Sequence, residues 1–438
     1  MPNRHASRAP RALATTVALT LLVGACSTTS PSPTPVPTVT PTTLPATATP
    51  GPTGTPRPLA EVYADIRSQV EGIRGLQPTA AVEPVVIDAA QLATNLTREF
   101  DSTHTDAGLK DAEDELITLG LLPAGTSLRA ITLAFQGGQV AGYYSPEANE
   151  LFVVSRTAAV GPADESTYAH EFTHQLQDQH FDLDKLGIDV SDQSDRSLAR
   201  LALVEGDATS AQTTWMTDNL SSSEMGEVFA AGLDPEALKA FNEAPPYLQQ
   251  TALFPYQSGL AFVMRLISEG GYDAVNAAFA DPPDSTEQIL HPEKYVTREA
   301  PIAVKVSTGI AKKLGTGWTE VGQDTLGEFL IRLWLRQSGP LSGSNLDATT
   351  VAAGWGGDRL ALYRGPDGET TIGIITTWDT VQDASEFFDA AHDAIRGLGL
   401  TGDVQGTTDD PKTIVVGIGA KSAEVIAALG GVPGGIGG

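Results

Sequence analysis

Five residues in the middle of the chain, His170-Glu171-Phe172-Thr173-His174, restrict the possible fold more than any other feature. Residues four apart lie on one face of an α-helix, so in a helix the two imidazoles address a single point with Glu171 beside them. The preceding residues favour such a helix. Pro162 is tolerated in a first turn, and Asp164 and Glu165 suit the positive end of the helix dipole. Two imidazoles and a carboxylate in this order suit a zinc ion, His170 and His174 as ligands, that activates water with Glu171 as its base.

A catalytic zinc site needs a third protein ligand and an open position for water. Glu205 meets the first requirement, because Leu198, Leu201, Ala202, Glu205 and Ala208 share one face of a helix expected over 196–217. A carboxylate on an otherwise apolar stripe needs a compensating partner, which a metal supplies. Gly206 is expected to let this helix approach the HExxH helix closely. The rival is His180, at the offset of the last histidine in HExxHxxGxxH. That pattern needs a glycine to turn the chain back, and Gln177 stands there instead.

With Glu205 included, the chain resembles the gluzincins, the thermolysin-like clan of zinc metallopeptidases, over residues 140–295 and specifically at His170, Glu171, His174 and Glu205. The resemblance implies peptide-bond hydrolysis, one zinc ion per chain and Glu171 as general base. It also implies a strand before the motif helix that aligns the substrate, for which Val140–Tyr144 is the candidate. A downstream histidine or tyrosine would stabilise the oxyanion; His291 and Tyr295 are the candidates, with Tyr256 behind them. One position departs from the pattern. Where thermolysin-like enzymes carry an aspartate four residues after the glutamate ligand, this chain has Thr209, leaving Asp178 or Asp207 to orient a zinc histidine. Two other readings stay open: a metzincin-like peptidase using His180, and a surface-binding lipoprotein that keeps a peptidase fold without turnover.

The N-terminus supplies an address. Arg4, Arg8 and Arg11 precede an apolar run from Ala12 to Val23, and Leu22-Val23-Gly24-Ala25-Cys26 resembles a bacterial lipobox. Residues 1–26 are therefore expected to be a signal peptide and Cys26, the only cysteine, the site of lipid attachment. Residues 27–58 are almost entirely Ser, Thr, Pro, Ala and Gly and should form an extended stalk. The expected location is the extracytoplasmic face of a bacterial membrane. A formal net charge of −27 makes nucleic acid a poor partner; the expected partner is a peptide or protein substrate.

The expected fold class is α+β: a mainly helical metallopeptidase core over 131–340 with a small sheet before the HExxH helix, preceded by a helical lead-in over 59–130. Helices are predicted over 59–73, 89–100 and 107–119. Strands are predicted at Ile131–Phe135, Val140–Tyr144 and Leu151–Ser155. After Gly339-Pro340 the texture changes to short strands and turns, which predicts a small α+β unit over 341–438, with Trp355, Trp378 and Phe387 in its core.

Overall fold

The computed structural model describes residues 18–19, 57–81, 83–146, 149–154, 160–341 and 347–433. Cys26 and nearly all of the expected signal peptide and stalk lie outside the described residues. The fold is α+β, with helices predominating and two separate sheets.

Helix α1 (Leu59–Arg74) buries Tyr63, Ile66 and Val70 at helical spacing and ends where Gly75 takes a left-handed conformation. Helices α2 (Ala89–Thr103) and α3 (Asp106–Thr118) begin at Asp88 and Thr105, whose side chains accept from the amides of Gln91 and Gly108. The predicted strand at Ile131–Phe135 is instead the middle of helix α4 (Leu128–Gln139). Its β-branched residues suggested extension, but Leu128, Thr132 and Phe135 recur at helical spacing and are buried, and the Ser127 hydroxyl caps the Ala130 amide at 3.3 Å.

Four strands form the first sheet, in the order β1 (Ala18–Leu19), β3 (Val140–Ser145), β4 (Glu150–Val154), β2 (Pro84–Ile87). β3 and β4 are the predicted antiparallel hairpin, and β2 joins β4 in parallel. Helix α5 (Pro162–Phe181) packs against β3 and carries the HExxH residues. From Ser166 to Gln177 every one of its residues is buried, so each polar side chain in that run needs an internal partner.

Helix α6 (Ser194–Asn219), which carries Glu205, crosses both α5 and the long helix α9 (Pro246–Ala280), which follows α7 (Ser222–Gly232) and α8 (Pro235–Glu243). Gly206 does permit a close approach, but to α9 rather than to the HExxH helix. A Cβ at Gly206 would lie 2.3 Å from the carbonyl carbon of Gly259, and one at Gly259 would lie 2.1 Å from the carbonyl oxygen of Ala202. The two backbones touch there. Helix α9 breaks at Gly270-Gly271, where the sequence marked its end, and then continues.

The second sheet has the order β10 (Gly431–Val432), β8 (Gly402–Thr407), β9 (Thr413–Gly419), β7 (Thr370–Trp378), β6 (Trp355–Arg364), β5 (Thr319–Asp324), antiparallel throughout. It is covered on both faces, as the alternation along β6 records. Leu360 and Leu362 join a core with α3 and Trp334, while Ala361 and Tyr363 face Ile310, Leu314 and Val425. Trp355, Trp378 and Phe387 are buried as expected. The sheet takes its edge strand β5 from before Gly339-Pro340, and the lead-in helices pack on it, so the C-terminal unit adjoins the helical core.

Candidate metal centre

Helix α5 presents His170 and His174 one turn apart, and α6 brings Glu205 up to them. The Nε2 atoms of the two histidines are 3.1 Å apart, and Oε2 of Glu205 lies 3.2 Å from His170 Nε2 and 3.4 Å from His174 Nε2. These three residues form one of two groups, among the described residues, whose donor atoms could converge on a cation. Four ligands held tetrahedrally at about 2.0–2.1 Å from zinc stand about 3.3 Å from one another. The observed triangle has those edges.

The other ring nitrogens show which atoms are free to bind. His174 Nδ1 lies 2.8 Å from Gln177 Oε1, and His170 Nδ1 lies 3.3 Å from Gln212 Oε1. Both amides are oriented by their own donations. Gln212 gives its Nε2 hydrogens to the Ser166 carbonyl and hydroxyl, and Gln177 gives its own to the Val204 carbonyl and to Asp207 Oδ2 at 2.8 Å. An amide oxygen accepts, so each Nδ1 is the protonated nitrogen and each Nε2 turns a lone pair inward. Two lone pairs and a carboxylate oxygen at such distances repel unless a proton or a metal ion lies among them; in the metal-free chain Glu205 holds a proton on His174, whose pKa it helps push up to about 9, and the same donor set fits a metal in its place.

Asp207 meets Arg74 of α1. Arg74 Nε is 3.0 Å from Asp207 Oδ1, both side chains are fully buried, and Arg74 also donates to Asn276 and lies over the Tyr272 ring. A chain of contacts thus runs from His174 through Gln177 and Asp207 to Arg74. These contacts orient His174, with an amide between histidine and carboxylate. Asp178, the other sequence candidate, instead accepts from the Tyr144 hydroxyl and the Leu183 amide.

Glu171 lies on the neighbouring face, against β3; a Cβ at Gly142 would stand 3.4 Å from its Cγ. Both carboxylate oxygens are buried and make no hydrogen bond. Burial pushes its pKa up to about 8; the Glu205 charge adds to the rise, while His174 and the nearby Tyr144 amide oppose it. For Glu205, burial raises the pKa, but in the metal-free chain the charge on His174 and the bonds from both histidines outweigh it, holding the carboxyl down at about 2.

The remaining sequence candidates separate. His180 is exposed, its Nε2 2.8 Å from the Gln77 carbonyl, and it does not join the cluster. His291 pairs with Glu328 at 3.0 Å, and Tyr295 is buried with its hydroxyl donating to the Asp281 carbonyl. Neither borders the metal cluster. Tyr256 does: its ring stacks 6.2 Å from that of His170. Gln177 and Gln212 were overlooked in the sequence although the signal was there, three residues after His174 and seven after Glu205 on the same helix faces. The second group, the three carboxylates of Glu287, Glu299 and Asp379, already surrounds the Lys294 ammonium at 2.6, 3.0 and 2.8 Å.

A family described as a domain of unknown function (DUF8575) matches residues 313–424, a stretch that excludes His170, Glu171, His174 and Glu205. No curated protein and no solved structure matches the chain. No helix among the described residues is long and apolar enough to cross a membrane.

Proposed function

We propose that this protein is a zinc-dependent peptidase. The observation that carries the reading is the 3.1–3.4 Å triangle of His170, His174 and Glu205 donor atoms, with the unpartnered Glu171 carboxylate beside it. A zinc ion held by these three residues would supply a Lewis acid and lower the pKa of a water at its open position. Glu171 takes the proton of the attacking water and passes it to the amine that leaves. Gln177, Asp207 and Arg74 hold His174 in the tautomer and orientation that ligation needs. Tyr256, whose ring stacks 6.2 Å from that of His170, is the candidate for steadying the oxyanion.

Peptides are favoured as substrates by the strand beside Glu171. The outer edge of β3 pairs antiparallel with Ala18–Leu19, so this edge accepts an extended segment within the same site. A substrate bound there would run past Gly142, where the absence of a side chain lets the strand lie against Thr167 of the HExxH helix, one turn before Glu171. Those two residues belong to the expected signal peptide, whose removal would free the edge. The lipobox-like Cys26 segment supports an extracytoplasmic, lipid-anchored location for the enzyme.

The test is metal analysis and peptide hydrolysis by the purified chain. The expected result is one tightly bound zinc per chain and chelator-sensitive cleavage that Glu171→Gln abolishes while zinc is retained. A chain that binds no zinc, or a Glu171→Gln variant that still turns over, overturns the reading.

A further inference from the structure

Glu205 and Tyr256 also wall a cavity of about 600 Å³. Ser194, Ser197, Leu198, Leu201 and Glu205 line it from α6. They occupy one face of that helix, and at 1.5 Å per residue the wall from Ser194 to Glu205 is about 16 Å long. Between these ends the cavity is bordered by apolar side chains, among them Leu116, Phe135, Leu248, Phe329 and Leu362.

The end remote from the metal cluster is acidic. Asp324, at the end of β5, accepts from the Ser194 amide at 2.8 Å, the Ser194 hydroxyl and the Thr325 amide at 2.8 Å. The Glu115 side chain of α3 borders the same end and, among the described residues, makes neither a hydrogen bond nor an ion pair. Neither carboxyl forms an ion pair among the described residues, although the Arg359 charge acts on Asp324 through space. The one basic side chain in the wall, Arg359, donates to the Asp192 carbonyl and to Gln323. Burial, then repulsion from Asp324 and Asp358, raises the Glu115 pKa to about 8. A carboxyl that faces a cavity without a partner, as Glu115 does, invites a cation. A metal ion is disfavoured, because the only groups of three converging donors among the described residues lie elsewhere.

We propose that this cavity is a specificity subsite of the same active centre, in which Glu115 and Asp324 receive the ammonium or guanidinium of a substrate lysine or arginine while the aliphatic stem lies along the apolar wall. This rests on the peptidase reading above. A lysine side chain reaches roughly 6 Å from its Cα, leaving about 10 Å of the 16 Å wall to be spanned by backbone; at about 3.3 Å per residue that is about three residues. The basic residue therefore sits about three positions from the bond that is cut.

The experiment walks one lysine, against norleucine, along both sides of the cleaved bond in a peptide series given to the full chain. The expected kcat/KM ratio of lysine to norleucine is about tenfold or more at a position about three residues from the cut, and near one elsewhere. Glu115→Gln should bring that ratio toward one, and the exposed control Asp367→Asn should not. Binding of the same two peptides to the Glu171→Gln chain, by calorimetry, reads the subsite without turnover. Cleavage with a ratio near one at every position, or a lysine preference that survives in both Glu115→Gln and Asp324→Asn, overturns the subsite and leaves the peptidase standing. No cleavage, with Glu115-dependent tighter binding of the lysine peptide, overturns the peptidase and supports the cationic site. Glu115-dependent uptake of calcium by the zinc-loaded chain would replace the side-chain assignment with a metal one.

Discussion

Gly206→Ala sets two effects of opposite sign against each other. Alanine in a helix interior gains about 1 kcal/mol of propensity over glycine. The added methyl, however, would stand 2.3 Å from both the carbonyl carbon and the carbonyl oxygen of Gly259, and the obstacle is backbone rather than a side chain that could rotate away. Relief requires α6 and α9 to part by about 1 Å, and overpacking of this kind costs about 1–3 kcal/mol, nearer the upper figure where no rotamer can yield. The expected net loss is about 2 kcal/mol, a fall of several degrees in Tm. The site should suffer too, since Glu205 is the adjacent residue and Tyr256 lies one turn before Gly259. With zinc held as proposed above, displacing Glu205 from its 3.2 and 3.4 Å contacts should weaken zinc binding about tenfold or more. Thermal unfolding with and without zinc, together with zinc content after dialysis, measures both. Gly226→Ala, on exposed α7 with nothing within 4 Å, carries the propensity gain alone and should be neutral or stabilising. A Gly206→Ala protein that melts at or above the parent with its zinc intact would refute the backbone contact and the inference drawn from it.

Three other outcomes follow from the same geometry. Gln177→Leu removes the acceptor for His174 Nδ1 and should lower zinc affinity by about 10–100-fold in chelator competition. Arg74→Met leaves the Asp207 carboxylate buried without its cation and should cost about 3–5 kcal/mol in urea unfolding, much of it recovered in Arg74→Met/Asp207→Leu. Asp358 has its pKa raised to about 7 by burial, against the opposing amides of Gly327 and Leu326. Between about pH 4 and 7 it is protonated when folded and ionised when unfolded, so its stabilising contribution is present below about pH 4 and lost as pH rises through 7. Asp358→Asn, which cannot titrate, should lack this loss of stability between about pH 4 and 7 whatever its baseline, since its amide removes one acceptor facing Leu326 and Gly327, and equal pH dependence in the two proteins would contradict the assignment.

What could be read directly from the sequence is what short-range geometry governs. HExxH needs only the 3.6-residue period to put two imidazoles on one face, and Glu205 stood out as a carboxylate on an apolar stripe. The hairpin β3–β4, the helix starting at Pro162 and the buried Trp355, Trp378 and Phe387 followed from the same local regularities. The failure at Ile131–Phe135 has a local cause as well, because a short run of β-branched and aromatic residues satisfies both periods until the cap at Ser127 and the burial of Leu128 and Phe135 choose between them.

Tertiary structure decided what depends on segments distant in sequence. Arg74 and Asp207, 133 residues apart, carry no pattern that announces their pairing. Nor does Gly206 reveal that its neighbour is Gly259 rather than the HExxH helix, since a small residue states that something comes close but not what. The ranking of His291, Tyr295 and Tyr256 was equally out of reach, for all three are ordinary aromatic or polar residues until the folding of α9 brings one of them against His170. The sequence by itself determined which donors this protein could offer to a metal. Only the packing of α1, α5, α6 and α9 decided how those donors are oriented, because orientation comes from contacts between chain segments that no local period relates.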